Sequence, residues 1–92
     1  MKILVTVGTT RFDSLIQYLD EAFAGLDHEF TFQIADGKYQ PTNFPFFRFS
    51  PEINRYYEAS DLVICHAGAG TIYKLLDIKK KIIIVPNTER VD

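Results

Sequence analysis

The spacing of apolar residues along the chain alternates between two periods, and this predicts strands separated by helices. Residues 2–7 and 82–85 form nearly continuous apolar, β-branched runs, which are typical of strands buried on both faces. Residues 29–35 alternate apolar with polar positions and end at an Asp-Gly turn signal. Shorter runs at 46–49 and 61–65 predict two further strands, so the pattern predicts five strands.

Between these predicted strands, apolar residues recur at the intervals typical of helices. Apolar residues at intervals of three and four predict a first helix that is capped by Asp13 and ends at Gly25. Ser50, followed by a proline at the first helical position, predicts a second helix that runs to about residue 59. A third helix is predicted over 71–78. Strands alternating with helices predict an α/β fold, a three-layer Rossmann-like parallel sheet wound in right-handed crossovers.

The length of 92 residues predicts one domain, spanning 1–92. The strand at 82–85 is followed by a short polar segment, 86–92, without a covering helix. A buried parallel strand normally has both faces covered. We therefore expect a fold truncated at its C-terminus, with the missing half-layer supplied by further chain, by a second copy or by another protein.

Composition and charge exclude several classes of function. A formal net charge of -2 and an isoelectric point near 5.6 leave no positive surplus for binding nucleic acid. The apolar runs are strand-sized, too short to cross a membrane, and the N-terminus carries no evident secretory signal. One cysteine and two histidines predict neither a disulfide framework nor a zinc site. These features predict a cytoplasmic protein without a bound metal.

The candidate ligand site follows from the strand order, because wound parallel sheets bind ligands beyond the carboxyl ends of their strands. Three predicted loops lie there, at 8–13, 66–71 and 87–90. Gly68 and Gly70 allow close approach of the backbone to a ligand, and the helix after them would direct free amide groups towards a phosphate. The candidate binding residues are Gly8, Thr9, Thr10, His66, Ala67, Gly68, Ala69, Gly70, Thr71 and Asn87.

Structural explanations exist for the same residues. The glycine pair also suits a tight strand-to-helix turn, His66 a locally hydrogen-bonded side chain, and Cys65 a small buried apolar residue. A dinucleotide-binding domain is disfavoured, because the loop after the first strand holds a single glycine rather than Gly-x-Gly-x-x-Gly. A flavodoxin-like domain could bind a flavin phosphate through Thr9 and Thr10, but the glycine loop would then have no role.

The segments 5–16, 65–72 and 81–87 together resemble the C-terminal domain of glycosyltransferase family 28, the MurG-like half of a GT-B fold. The chain is most similar to the small subunits of two-component UDP-N-acetylglucosamine transferases, both the dolichol-linked asparagine-glycosylation type and the bacterial exopolysaccharide PssE-like type. The resemblance spans nearly the whole chain. It implies a subunit that binds a UDP-sugar, while a membrane-anchored partner subunit binds the acceptor of a lipid-linked or exopolysaccharide glycan.

The resemblance also implies roles for individual residues. Residues 68–71 would form the diphosphate loop, His66 would border the sugar or phosphate, and Gly8, Thr9 and Thr10 would line the cleft facing the acceptor half. No cofactor is implied, because helix-end amides can stabilise the departing UDP without a metal. No residue of the chain is assigned as the catalytic base, which the partner could supply.

The sequence departs from the family pattern at two places. Family members usually carry a glutamate that is implied to hold the ribose, and Lys74 stands at that position, where it cannot accept hydrogen bonds. The family also continues past the fifth strand into a helix containing His-Gln. These departures favour, as a second hypothesis, a non-catalytic interaction module in which the last strand and surface aromatic residues drive self-association. A flavodoxin-like nucleotide-binding protein is a third, weaker hypothesis.

Overall fold

A computed structural model describes residues 1–66 and 80–86 of the chain. They contain a five-stranded sheet in which every adjacent pair of strands is parallel. The strands are β1 (Lys2–Thr6), β2 (Glu29–Gln33), β3 (Phe46–Phe47), β4 (Leu62–His66) and β5 (Ile82–Val85). The helices are α1 (Asp13–Ala22) and α2 (Ile53–Ala59).

The strand order is β3-β2-β1-β4-β5, which is the Rossmann order. From β1 the chain passes through α1 to β2 and then to β3, after which α2 carries it back to β4 on the other side of β1. At the carboxyl edge, Thr6 pairs with Gln33 on one side and with Cys65 on the other. The predicted α/β class is confirmed, and the direction of winding reverses between β1 and β4.

The larger core lies between the sheet and α1. Alternate residues of β1 and β2 point to this face, as period-two strands require, and Ile16 and Leu19 of α1 cover them. Phe30 lies at the centre of an aromatic group, with its ring centroid 5.1 Å from those of Phe23 and Phe44. Aromatic contacts at this spacing add to the stabilisation from buried area.

The connection from β2 to β3 is held by a side chain instead of a packed helix. Residues 34–45 are all described, and no helix forms among them. The fully buried carboxylate of Asp20 on α1 accepts hydrogen bonds from the Tyr39 hydroxyl at 2.5 Å and from the backbone amides of Thr42 and Asn43 at 3.0 Å each. Asp20 therefore fastens this connection to α1.

A smaller core lies on the α2 face of the sheet. Leu4, Val63 and Cys65 pack there against Tyr57 of α2. Burial raises the pKa of the Cys65 thiol above its ordinary value, so the reactive thiolate is disfavoured. The interpretation of Cys65 as a buried apolar residue is confirmed. Among the described residues, no helix has the length and apolar character needed to span a membrane.

Asp13 does not cap α1, contrary to prediction. Phe12 occupies the N-cap position and makes no side-chain capping bond. The Asp13 carboxylate, in the first turn, instead accepts a hydrogen bond from the backbone amide of Tyr39 at 3.1 Å. The Tyr39 amide, which is distant in sequence, therefore takes the carboxylate that helix-capping preferences would assign to the start of α1.

Other predicted boundaries also differ from those observed, including the end of α1, which is Ala22 rather than Gly25, and the end of β3, which is Phe47 rather than residue 49. Strand β2 ends at Gln33, before Ala35, because Ala35 adopts a φ of 53°, which is incompatible with extended backbone. Helix α2 begins at Ile53 rather than at Pro51, because the Ser50 hydroxyl accepts the Glu52 amide at 3.1 Å in a turn that precedes the helix. The helix predicted over 71–78 lies outside the described residues.

Candidate functional site

The turn that follows β1 carries three of the predicted site residues. Gly8 has a φ of 67°, which a residue with a Cβ adopts only with strain, and the Thr10 amide donates to the Val7 carbonyl at 3.4 Å to close the turn. Thr9 is exposed and Thr10 is half-buried. The turn therefore offers two threonines at the carboxyl edge of the central strand.

His66 is the last residue of β4, and it is buried. Because β4 pairs directly with β1, His66 and the Gly8 turn lie on neighbouring strands at the same edge of the sheet. The remaining predicted binding residues, and Lys74, lie outside the described part of the chain. They are Ala67, Gly68, Ala69, Gly70, Thr71 and Asn87.

A cavity of about 380 Å³ opens beside the Gly8 turn, between the carboxyl ends of β1 and β2 and the start of α2. Its volume lies within the range of small-molecule sites, roughly 300–1,000 Å³. Apolar and aromatic side chains line most of it, and polar groups are few. The lining residues are Thr6, Gly8, Gln33, Phe49, Ser50, Pro51, Ile53 and Tyr57.

Sequence reasoning missed this cavity, although a signal for it was present. The connection after the third strand reaches the same sheet edge as the three predicted ligand-binding loops, so the same rule includes Phe49 and Ser50. A glutamine near the carboxyl end of the second predicted strand was a second signal, because an amide that is buried there must find hydrogen-bond partners.

Gln33 connects the walls of the cavity through its side-chain amide. Its Oε1 accepts hydrogen bonds from the Thr6 hydroxyl at 2.6 Å and from the amides of Val7 and Gly8 at 3.0 and 2.9 Å. Its Nε2 donates to the carbonyls of Gly8 at 2.8 Å and Arg48 at 2.7 Å. One buried side chain thus joins the turn after β1 to the segment after β3.

Arg48 adds a second connection at this edge. Its Nη1 donates to the carbonyl oxygens of Ala35 at 3.1 Å and Gly37 at 2.9 Å. The segment after β3 is therefore tied to the turn after β2 as well as to Gln33. Ala35, in its left-handed conformation, is fully buried at this junction.

The described lining of the cavity offers apolar surface and a small number of polar contacts to a ligand. The lining residues within 1–66 and 80–86 include no carboxylate, histidine or lysine, and Tyr57 is the one ionisable side chain among them. Within residues 1–66 and 80–86, no group of three histidine, cysteine, aspartate or glutamate side chains is placed to hold a metal ion. The arrangement suits a ring-shaped, uncharged part of a ligand, with polar contacts at one edge.

Comparison with known proteins identifies the family. Residues 2–92 match the glycosyltransferase family 28 C-terminal domain. The chain belongs to this family. The family 28 match covers nearly the whole sequence, so it includes both the Gly8 turn and the β4 segment that ends at His66.

Curated relatives point to one kind of subunit. The chain is 33% identical over 98 residues to the human UDP-N-acetylglucosamine transferase subunit ALG13, covering 92% of this chain and 9% of that protein. It is 32% identical over 102 residues to the mouse protein of the same name, covering 94% and 8%. A Candida albicans ALG13 subunit is 41% identical over 46 residues, covering 50% and 16%. This family 28 chain therefore spans less than a fifth of the length of these relatives.

A solved structure supports the fold. The glycosyltransferase SnogD from Streptomyces nogalater aligns with a TM-score of 0.76 and 23% sequence identity, covering 98% of this chain and 26% of that one. At this identity the likeness concerns the fold alone. It agrees with the Rossmann-like parallel sheet described above.

Proposed function

We propose that this chain is the sugar-nucleotide-binding subunit of a two-component glycosyltransferase, with UDP-N-acetylglucosamine or a related UDP-sugar as donor. The observation that carries the proposal is the position of the cavity and the Gly8 turn at the reversal point of a family 28 sheet, where wound α/β domains bind nucleotides. The curated relatives, named as UDP-N-acetylglucosamine transferase subunits, support the same donor.

The cavity is the proposed place for the nucleoside. Phe49 exposes 61% of its surface while lining the cavity, which leaves a free aromatic face for a pyrimidine ring to stack on. The diphosphate would then extend along the carboxyl edge, past the Gly8 turn, towards the segment after His66. In this arrangement the glycine loop, residues 66–71, supplies amide groups to the phosphates.

We propose that a membrane-anchored partner subunit binds the acceptor, on the cytoplasmic side of the membrane. Among the described residues that line the cavity, Tyr57 is the one ionisable group, and no carboxylate or histidine is present to deprotonate an acceptor hydroxyl. Donor binding by one chain and acceptor binding by another would therefore divide the reaction between subunits. The product would be a lipid-linked or exopolysaccharide glycan.

Isothermal titration tests donor binding. We expect heat of binding when UDP or UDP-N-acetylglucosamine is added to the chain, alone or together with the acceptor subunit. Phe49→Ala should weaken UDP binding about tenfold, because base–aromatic stacking contributes roughly 1–3 kcal/mol per base. Phe46→Ala is the control, since Phe46 is also an exposed phenylalanine but does not line the cavity. Absence of heat with both nucleotides, with and without the partner, would contradict the proposal.

A second function, self-association without catalysis, is favoured by the apolar surface of β5. Ile83 and Ile84 expose 48% and 45% of their surface on the two opposite faces of this strand, and apolar side chains left exposed on a strand can contribute to an interaction site. This hypothesis predicts that sedimentation velocity will detect a dimer at micromolar concentration, and that Ile83→Lys will shift the chain to the monomer. A monomer at all concentrations in the unmodified chain rules this function out.

A further inference from the structure

Gln33 stands out among the polar residues at the carboxyl edge, because it is nearly inaccessible and lies between the two walls of the cavity. It exposes 3% of its surface at the end of β2. The Gly8 turn forms one wall, and residues 49–51 form the other. Gln33 is bonded to the first wall directly and to the second through the carbonyl of Arg48, the residue next to Phe49.

The hydrogen-bonding capacity of Gln33 is fully used within the protein. An amide side chain has two N–H donors and one carbonyl oxygen. Both donors are occupied, by the carbonyls of Gly8 and Arg48, and the oxygen accepts three hydrogen bonds. Gln33 therefore has no donor to offer a ligand. Any effect that it has on binding must act through the backbone segments that it holds.

We infer that Gln33 is a positioning residue for the nucleotide, setting the Gly8 turn and the wall of residues 49–51 at the separation that the nucleoside requires. The inference deepens the proposed function and rests on it. A cavity whose walls are fixed before binding avoids the entropy loss of ordering them on binding, so loss of the link should lower affinity. The two segments are otherwise loops, and backbone in loops is the least constrained part of a fold.

The orientation of the Gln33 side-chain amide allows a specific test by substitution. Its oxygen faces three donors and its nitrogen faces two carbonyl oxygens, so the two ends are not interchangeable. Gln33→Glu keeps an acceptor for Thr6 and Gly8 but places a second carboxylate oxygen against the two carbonyls. Those contacts, at 2.8 and 2.7 Å, become repulsive. Gln33→Met keeps the length of the side chain without either polar end and is the milder second variant.

The experiment compares the unmodified chain, Gln33→Glu, Gln33→Met and Asp20→Asn, each at a temperature where circular dichroism shows it folded. UDP affinity is measured by titration calorimetry, and the amide signal and exchange rate of Gly8 by NMR. We expect both Gln33 variants to bind UDP at least about tenfold more weakly, with a shifted and faster-exchanging Gly8 amide. Asp20→Asn, which removes a buried polar network away from the cavity, should keep UDP affinity within about twofold.

The outcomes separate this inference from the proposed function. Unchanged UDP affinity in both Gln33 variants overturns the inference and leaves the proposed function intact. An unchanged Gly8 amide in both variants also overturns the inference, whatever the affinity. If the unmodified chain does not bind UDP but the Gln33 variants change the NMR signal of the Gly8 amide, Gln33 positions the cavity walls and the proposal of a nucleotide ligand is wrong.

Discussion

Replacing Asp20 with asparagine is expected to lower the free energy of unfolding by about 2–4 kcal/mol, measured by urea denaturation. The Asp20 carboxylate is fully buried and receives hydrogen bonds from the Tyr39 hydroxyl and from the amides of Thr42 and Asn43. Asparagine keeps the shape but turns an NH₂ group towards these donors. Hydrogen bonds to a charged acceptor are about twice as strong as neutral ones, so their loss is costly.

Asp61→Asn provides the matched control. The Asp61 carboxylate also accepts a backbone amide, from Lys2 at 2.7 Å, but it does so on the exposed surface. Water can replace that bond, so the same substitution should cost no more than about 1 kcal/mol. Equal losses at the two positions would show that Asp20 does not fasten the β2–β3 connection to α1.

The Asp20 network should also make stability depend on pH at both extremes. Burial raises the pKa of Asp20, but the hydrogen bonds from Tyr39, Thr42 and Asn43 together lower that pKa below 3.8. The contribution of Asp20 to stability is therefore present above its pKa in the unfolded chain. It is lost as pH falls through the lower pKa that Asp20 has in the folded protein. The hydrogen bond to Asp20 raises the pKa of Tyr39 from 10.0 to about 12, so the stability it contributes is lost as pH rises through that interval. In Tyr39→Phe the alkaline loss, followed as Tm against pH, should be smaller.

Hydrophobic periodicity was sufficient to predict the strands and the first helix, because each buries one or two apolar faces. It could not predict how the β2–β3 connection is held, since that depends on a carboxylate of α1 meeting amides more than twenty residues away. The same limit explains Asp13. Capping rules consider local partners, whereas the Asp13 carboxylate accepts the Tyr39 amide from another segment.

The turn after β1 was predictable, because a glycine followed by threonines marks the end of a strand at Gly8. The cavity was not predicted, because it is assembled from the ends of three strands and the start of α2, whose separation depends on the side chain of Gln33. A glutamine in a sequence shows that a buried amide needs partners, but it does not show which segments supply them. Long-range hydrogen bonding, rather than local propensity, gives this edge its shape.

Gly37→Ala tests that long-range bonding at the turn after β2, and we expect a loss of about 2–3 kcal/mol in the free energy of unfolding. A Cβ at this position would lie 2.7 Å from Asp13 Oδ1 and 2.9 Å from the Ile34 carbonyl oxygen. The Asp13 carboxylate could rotate only by giving up the Tyr39 amide. The Ile34 carbonyl cannot move freely, because it accepts the Gly37 amide at 2.9 Å.

Gly25→Ala is the control that separates crowding from backbone strain. Gly25 has a φ of 82°, but a Cβ there would meet nothing within 4 Å, so alanine should cost only the strain of a left-handed residue, roughly 1–2 kcal/mol. Urea denaturation of both variants gives the comparison. If Gly25→Ala costs more than Gly37→Ala, the turn after β2 can relax around a methyl group. The Arg48 guanidinium, which donates to the Gly37 carbonyl, would then move with the turn and keep that hydrogen bond. The carboxyl edge of the sheet would be less rigid than its hydrogen bonds imply.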